Sequence, residues 1–223
     1  TFIDASASRL QHNLGLLMSG MVAGAFQSSA HRELLPDLWS SLFVVVPTVS
    51  TTFASVRTMF GDLPPESIGW LLVDEAGQAV PQAAVGAIMR AKRSIVVGDP
   101  LQIPPVVSLP EKLNAEICKF FDIDQVEWSA PAASTQTLAD QASRFKSTFV
   151  VDGGDREVGL PLLVHRRCQN PMFDVSNSIA YAGQMVHAVG PKKPGSIGSA
   201  LGRSHWVDIN GDAETKWCPD EGE

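Results

Sequence analysis

The chain is poor in cysteine. Its three thiols, Cys118, Cys168 and Cys218, are widely spaced among 223 residues. They form no Cys-x-x-Cys pair, which argues against a disulfide framework or a zinc site of the usual spacing. Reduced thiols are expected, with Cys168 a partly buried spectator beside two arginines. Aromatic residues make up 7% of the chain, with a single tyrosine. The five histidines (His12, His31, His165, His187, His205) show no ligand spacing. No apolar run reaches the roughly 18 residues that a membrane span requires. The stretch from Leu14 to Ala25 imitates a secretory leader, but Asp4 and the polar run Arg9 to Asn13 precede it. Leu10, Leu14, Leu17 and Met21 fall on one helical face, so an amphipathic helix is expected there.

Positive charge is also scarce. Lys and Arg number 17 against 24 acidic residues, a net charge of −7. This withholds the basic footprint that nucleic-acid binders usually carry. What the chain does have is 44% hydrophobic and 18% charged residues, a globular balance. Its length suits one full domain and part of another, at about 150 residues per domain.

A phosphate-cradling loop, Gly-x-x-x-x-Gly-Lys followed by Ser or Thr, is missing. Gly15 and Gly20 have its spacing, but Met21 and Val22 stand where Lys and the hydroxyl should be. A helix with two glycines is the expectation. Gly195, Gly198 and Gly202 follow Pro191-Lys192-Lys193-Pro194 rather than a strand, and read as a linker.

Two segments carry chemistry. Ile68 to Val73 is a short apolar run, expected to be a strand covered on both faces, and Asp74-Glu75 follow it at once. Adjacent carboxylates at a buried strand end are costly unless a cation or water meets them. A hydrated magnesium held by Asp74, with Glu75 accepting a proton, is one solution. A cap on the helix starting near Pro81 is the other. Arg93 to Val97 is a second apolar strand, after which Gly98 permits a tight exit and Asp99 and Gln102 hang at the tip. Pro104-Pro105 stops a helix there. Between the strands, Pro81 to Ala91 reads as a helix with Val80, Ala84, Ala87, Ile88 and Ala91 on one face. Strand, helix and parallel strand with polar groups at both carboxyl ends is where open α/β sheets bind ligands.

Asp74-Glu75-Ala76-Gly77-Gln78-Ala79, then Gly98-Asp99-Pro100-Leu101-Gln102-Ile103-Pro104-Pro105, resembles motifs II and III of superfamily 1 helicases, in the branch of the nonsense-mediated-decay helicase and its bacterial relatives. Val46 to Ser55 is similar to motif Ic. Leu162 to Arg167, with Ser176, Asn177 and Tyr181, is similar to motif IV. The four occur in family order. The resemblance implies an α/β fold: an incomplete RecA-like P-loop NTPase parallel sheet flanked by helices over residues 1–153, and the beginning of a second RecA-like domain over 154–223. It implies ATP and Mg2+ as cofactors, with Asp74 on the metal and Glu75 as catalytic base. Gln102 would contact the γ-phosphate and Arg166 would reach it from the second domain, with Arg167 the neighbouring register. Asp99 and Gln78 would lie near the nucleotide, Gln78 alternatively bonding only the following turn. Ser50, Thr51 and Thr52 would face a nucleic-acid backbone.

The implied activity is ATP-driven movement on single-stranded DNA or RNA, in the cytoplasm, without a membrane. The chain is expected to be the middle of a longer motor. Alone it would bind ATP poorly, need the rest of the polypeptide, and tend to self-associate through exposed sheet edges. An ATP-driven switch and a non-catalytic interaction module that keeps the fold remain alternatives.

Elsewhere, residues 1–40 read as helical up to a Pro36-Asp37 turn, and Leu42 to Val46 as a strand. Thr52 to Met59 and Leu109 to Phe121 read as helices around a 61–65 loop and the motifs above. Residues 128–135 read as loop and Leu138 to Phe145 as a helix. Asp152-Gly153-Gly154-Asp155 reads as the boundary between domains. Beyond it, Leu160 to Val164 reads as a strand, Asn170 to Ala180 as a helix turning Met172, Val175 and Ile179 inward, and Trp206 to Ile209 as a strand.

Overall fold

The computed structural model describes residues 2–23, 29–99, 101–151 and 154–190. The sequence readings on Asp152-Gly153, on the 195–202 glycines, and on His205, Trp206 to Ile209 and Cys218 lie outside these. The chain divides into two compact units, Thr1–Ser147 with Glu157–Leu160, and Thr148–Arg156 with Pro161–Glu223.

The first unit opens with two helices, α1 (Phe2–Ala23) and α2 (Ser29–Val45), packed on each other. Leu17 of α1 is fully buried. It joins Leu35, Leu38 and Trp39 of α2, Val56 and Phe60 of α3 (Phe53–Phe60), Leu63, and Ala87 of α4 (Pro81–Arg90) in one apolar core. Trp39 is the hub, with ring centroids 4.7 Å from Phe60 and 5.7 Å from Phe43. Burial of Leu35, Leu38 and Trp39 on one stripe outweighs the hydrogen bond lost at Pro36, so α2 runs through that proline instead of turning there. The Ser40 and Ser41 hydroxyls donate back to the carbonyls of Pro36 and Asp37. The expected 42–46 strand is therefore the end of this helix. Leu42 and Phe43 pack on the core at helical spacing.

Strand β1 (Leu71–Val73) pairs in parallel with β2 (Ser94–Val96), in the register Leu71–Ser94, Leu72–Ile95 and Val73–Val96. An isolated bridge joins Ile68 to Ala91. Helix α4 crosses between the strands, with Pro81 in its first turn and Ala84 and Ala87 buried. This strand–helix–strand unit matches the expected α/β arrangement. The strands are not covered on both faces, however: Leu72 is 71% exposed and Ile95 45%. Only Val73 turns fully into the interior, since alternate strand residues face opposite sides.

The carboxyl end of α4 is tied down by Arg90. Its Nη1 donates to Gly86 O at 2.7 Å and its Nη2 to Gly61 O at 2.8 Å, joining α4 to the turn after α3. Arg90→Met keeps the apolar stem but strands the Gly61 carbonyl. We expect a loss of about 1 kcal/mol in urea unfolding.

Helix α5 (Glu111–Phe120) and the short α6 (Gln125–Trp128) follow. Asp124 caps α6 by accepting the Val126 and Glu127 N–H groups, so the segment expected to be loop from Trp128 begins as the end of a helix. Helix α7 (Thr135–Ala142) starts earlier than its apolar residues suggest. Ser134 and Thr137 form a capping box that fixes its first turn.

Strands β3 (Ser147–Val151) and β4 (Gly154–Val158) pair as a two-stranded sheet. In the second unit, β5 (Val164–His165) pairs in parallel with β6 (Val186–His187), and α8 (Met172–Ala180) lies between them in sequence. Only the last residue of the expected 160–164 strand is in β5. Met172, Val175 and Ile179 are exposed, at 62, 48 and 73%. The residue α8 buries is Phe173, whose ring meets His165 and His187 at 5.3 and 4.7 Å. Two rings on paired strands select that face of the helix over the aliphatic one. Among the described residues no helix is long and apolar enough to cross a membrane.

Candidate nucleotide site

The two chemical segments are brought together by backbone pairing. The β1–β2 ladder continues past both strands: Val97 N–H donates to Val73 O at 2.8 Å, and Ala76 N–H donates to Val97 O at 3.0 Å. Asp74-Glu75 and Asp99 thus leave neighbouring strand tips at one carboxyl edge. The crossing leaves no room for side chains. A Cβ on Gly98 would lie 2.6 Å from Gly77 N and 2.8 Å from Ala76 N, and one on Gly77 would lie 2.7 Å from Asp99 O.

Asp74 and Glu75 are both exposed. Asp74 Oδ1 accepts the Glu75 N–H at 3.0 Å, which orients the carboxylate at the mouth of the turn. Glu75 adopts the left-handed conformation, φ 54° and ψ 36°, before a 3₁₀ turn of Ala76–Gln78. A non-glycine residue there pays a steric cost that the surrounding structure must hold. Neither carboxylate caps α4, whose N-cap is Val80 without a side-chain bond. Gln78 Nε2 lies 3.4 Å from Glu75 Oε2, so its amide faces the acid rather than the following backbone.

The second tip is held from within. Asp99 Oδ1 accepts Leu101 N–H at 3.0 Å, and Oδ2 accepts Gln102 Nε2 at 2.9 Å. Asp99 therefore positions Gln102, whose side chain is exposed.

The donor set at this edge is carboxylate and amide oxygen in contact with water, which suits a hydrated hard cation such as Mg2+. The phosphate cradle is a different matter. Gly15 and Gly20 lie inside the helix α1. At the sheet edge, Asp74 is the exposed carboxylate that could hold such a cation, although no cluster of three or more metal-ligating side chains occurs among the described residues.

One segment of the chain is similar to a known family. Residues 29–109 match the family model of an AAA domain. The matched segment holds α2, α3, β1, α4 and β2, and with them Asp74, Glu75, Asp99 and Gln102. It is compatible with an α/β P-loop fold and supports nucleotide binding of the NTP-hydrolase type, with ATP and Mg2+ the usual pair of such domains. No curated protein matches the chain.

The AAA-like segment also contains Ser50, Thr51 and Thr52, all exposed. No strand precedes them; residues 46–52 leave α2 without regular structure. Thr52 Oγ1 donates to Ser55 Oγ at 3.3 Å at the start of α3.

Arg166 and Arg167 lie in the second unit, beyond the AAA match, and are exposed directly after β5. The turn they occupy is ordered by its neighbours. Cys168 N–H donates to His165 Nε2 at 2.8 Å, and the His165 ring packs at a tilt against Phe173. The Asn177 side chain both donates to Met185 O, at 3.2 Å, and accepts Met185 N–H, at 2.9 Å, fixing the loop between α8 and β6.

Sequence reasoning missed a polar cluster behind the strand tips. Thr135 N–H donates to Ala79 O at 2.9 Å, so α7 docks where the 3₁₀ turn ends. Gln136 and Asp140 are buried beside it. The available signal was Ser134-x-x-Thr137 ahead of Leu138, a cap pattern placing the helix start three residues earlier.

Proposed function

We propose that this chain is the middle of a superfamily 1 helicase or translocase motor that couples ATP hydrolysis to movement on single-stranded DNA or RNA in the cytoplasm. In this reading residues 1–153 are the C-terminal part of a first RecA-like domain, without its phosphate-binding loop, and 154–223 begin a second. The observation that carries this reading is the parallel β1–β2 ladder, which delivers Asp74-Glu75 and Asp99-Gln102 to one sheet edge. Asp74 holds Mg2+ and Glu75 takes the proton of the attacking water. Gln102, oriented by Asp99, senses the γ-phosphate, with Gln78 beside the nucleotide. Arg166, with Arg167 next to it, supplies positive charge from the second domain to the phosphoryl group in transit. Ser50, Thr51 and Thr52 offer hydroxyls to the strand backbone, a mode that needs little net positive charge. The rest of the motor polypeptide supplies the phosphate loop, and exposed apolar residues such as Leu72 and Ile95 favour self-association of the isolated chain.

The test is ATP turnover by the full-length protein containing this chain, with and without single-stranded DNA and RNA. Turnover that rises with one of them is the expected result. Turnover indifferent to both would point to an ATP-driven switch, and no turnover at all to a non-catalytic module.

A further inference from the structure

A buried polar chain runs behind the strand tips. Gln136, in the first turn of α7, is 9% exposed and packs against Gly98; a Cβ there would lie 3.0 Å from Gln136 Oε1. That Oε1 is buried and has no hydrogen-bond partner among the described residues. The other end of the same amide is engaged: Nε2 donates to Asp140 Oδ1 at 2.9 Å. Asp140 is 8% exposed, and the same oxygen accepts the Gly159 N–H at 2.9 Å. The first unit ends at Leu160, one residue further on. Two side chains therefore connect the Gly77–Gly98 crossing to the segment that leads into the second unit.

The geometry points to Gln136 and Asp140 as positioning residues that transmit the state of the strand-tip loops to that exit. This inference rests on the motor reading above. A buried acceptor without a donor is a state of raised free energy. It is relieved when the adjoining Gly77 or Gly98 backbone turns an N–H toward it, as loops closing on a terminal phosphate can do. The carboxamide is rigid and planar, so Oε1 cannot move without Nε2. Asp140 follows, and with it the Gly159 amide. The arrangement is an element with two hydrogen-bonding states, which is what coupling between separated sites requires.

The experiment uses the full-length protein. Amide hydrogen exchange at Gly159 is measured with and without Mg2+ and a non-hydrolysable ATP analogue. ATP turnover is measured with and without single-stranded nucleic acid. The analogue is expected to change Gly159 exchange by about tenfold, within the usual range of coupling between sites. In Gln136→Leu that response should vanish. Basal turnover should be kept while the stimulated-to-basal ratio falls, again by about tenfold. Asp140→Asn retains an oxygen acceptor for both donors and should keep the ratio. The inference is overturned if Gly159 exchange ignores the analogue in the unmodified protein. It is also overturned if Gln136→Leu lowers basal and stimulated turnover in equal proportion, the mark of a merely structural role. If Gln136→Leu does not fold, exchange in the unmodified protein decides. ATP turnover that is present and lost on Glu75→Gln, alongside an unresponsive Gly159, would sink this inference while sparing the motor reading. Absent turnover would sink both.

Discussion

Glu75→Gln in the full-length protein should lower ATP turnover by about 100- to 10,000-fold, the usual contribution of a positioned general base. The two side chains have the same shape. The left-handed backbone at this position, φ 54°, costs Gln what it costs Glu, because neither is branched at Cβ. The Asp74 carboxylate keeps its bond to the residue-75 N–H, since that bond involves only backbone on one side. The substitution therefore removes proton acceptance and little else. Melting temperature should be unchanged, and nucleotide binding should persist. Steady-state phosphate release is the measurement, and turnover equal to that of the unsubstituted protein would remove Glu75 from its proposed role.

Gly98→Ala should cost about 3 kcal/mol, the upper end of overpacking penalties. The added Cβ meets two backbone nitrogens at 2.6 and 2.8 Å and the Gln136 amide at 3.0 Å. Only the last could step aside. The nitrogens belong to Ala76 and Gly77, and Ala76 N–H is committed to Val97 O. The first unit must either open the β1–β2 ladder or shift the whole 3₁₀ turn. Urea unfolding followed by circular dichroism reads the loss. Gly15→Ala is the control: nothing lies within 4 Å of a Cβ there, and a helix interior favours alanine, so stability should hold or rise slightly. An unaffected midpoint in Gly98→Ala would mean that the two strand tips are less closely apposed than described.

These two sites differ in how far they could be read in advance. The acid pair was visible because it follows an apolar run directly, and the helix from Pro81 because proline and alanine spacing agree with each other. The tightness at Gly98 was visible only as a permitted turn. Its cause is the Ala76-Gly77 backbone, more than twenty residues away, and spacing in one segment cannot show that. Leu42 to Val46 shows the opposite failure. A short apolar run has no period, so strand and helix fit it equally, and packing on Trp39 decided the matter. On α8, the aliphatic stripe of Met172, Val175 and Ile179 suggested an inward face, yet Phe173 took it because the His165 and His187 rings meet it. Gln136 and Asp140 gave no signal of burial, being polar residues whose role comes from Gly98 on one side and Gly159 on the other.

Trp39 and Trp70 give this polypeptide contrasting optical environments. Trp39 is enclosed by Phe43 and Phe60, whereas Trp70 is 55% exposed, with the Arg93 guanidinium 5.3 Å from its ring. An anionic quencher in solution should be drawn to the second indole and denied the first. With Trp206 and Trp217 replaced by Phe, and with Trp128 itself 49% exposed, the emission that survives quenching would come disproportionately from Trp39, shifted to the blue, and would follow the integrity of the helical bundle.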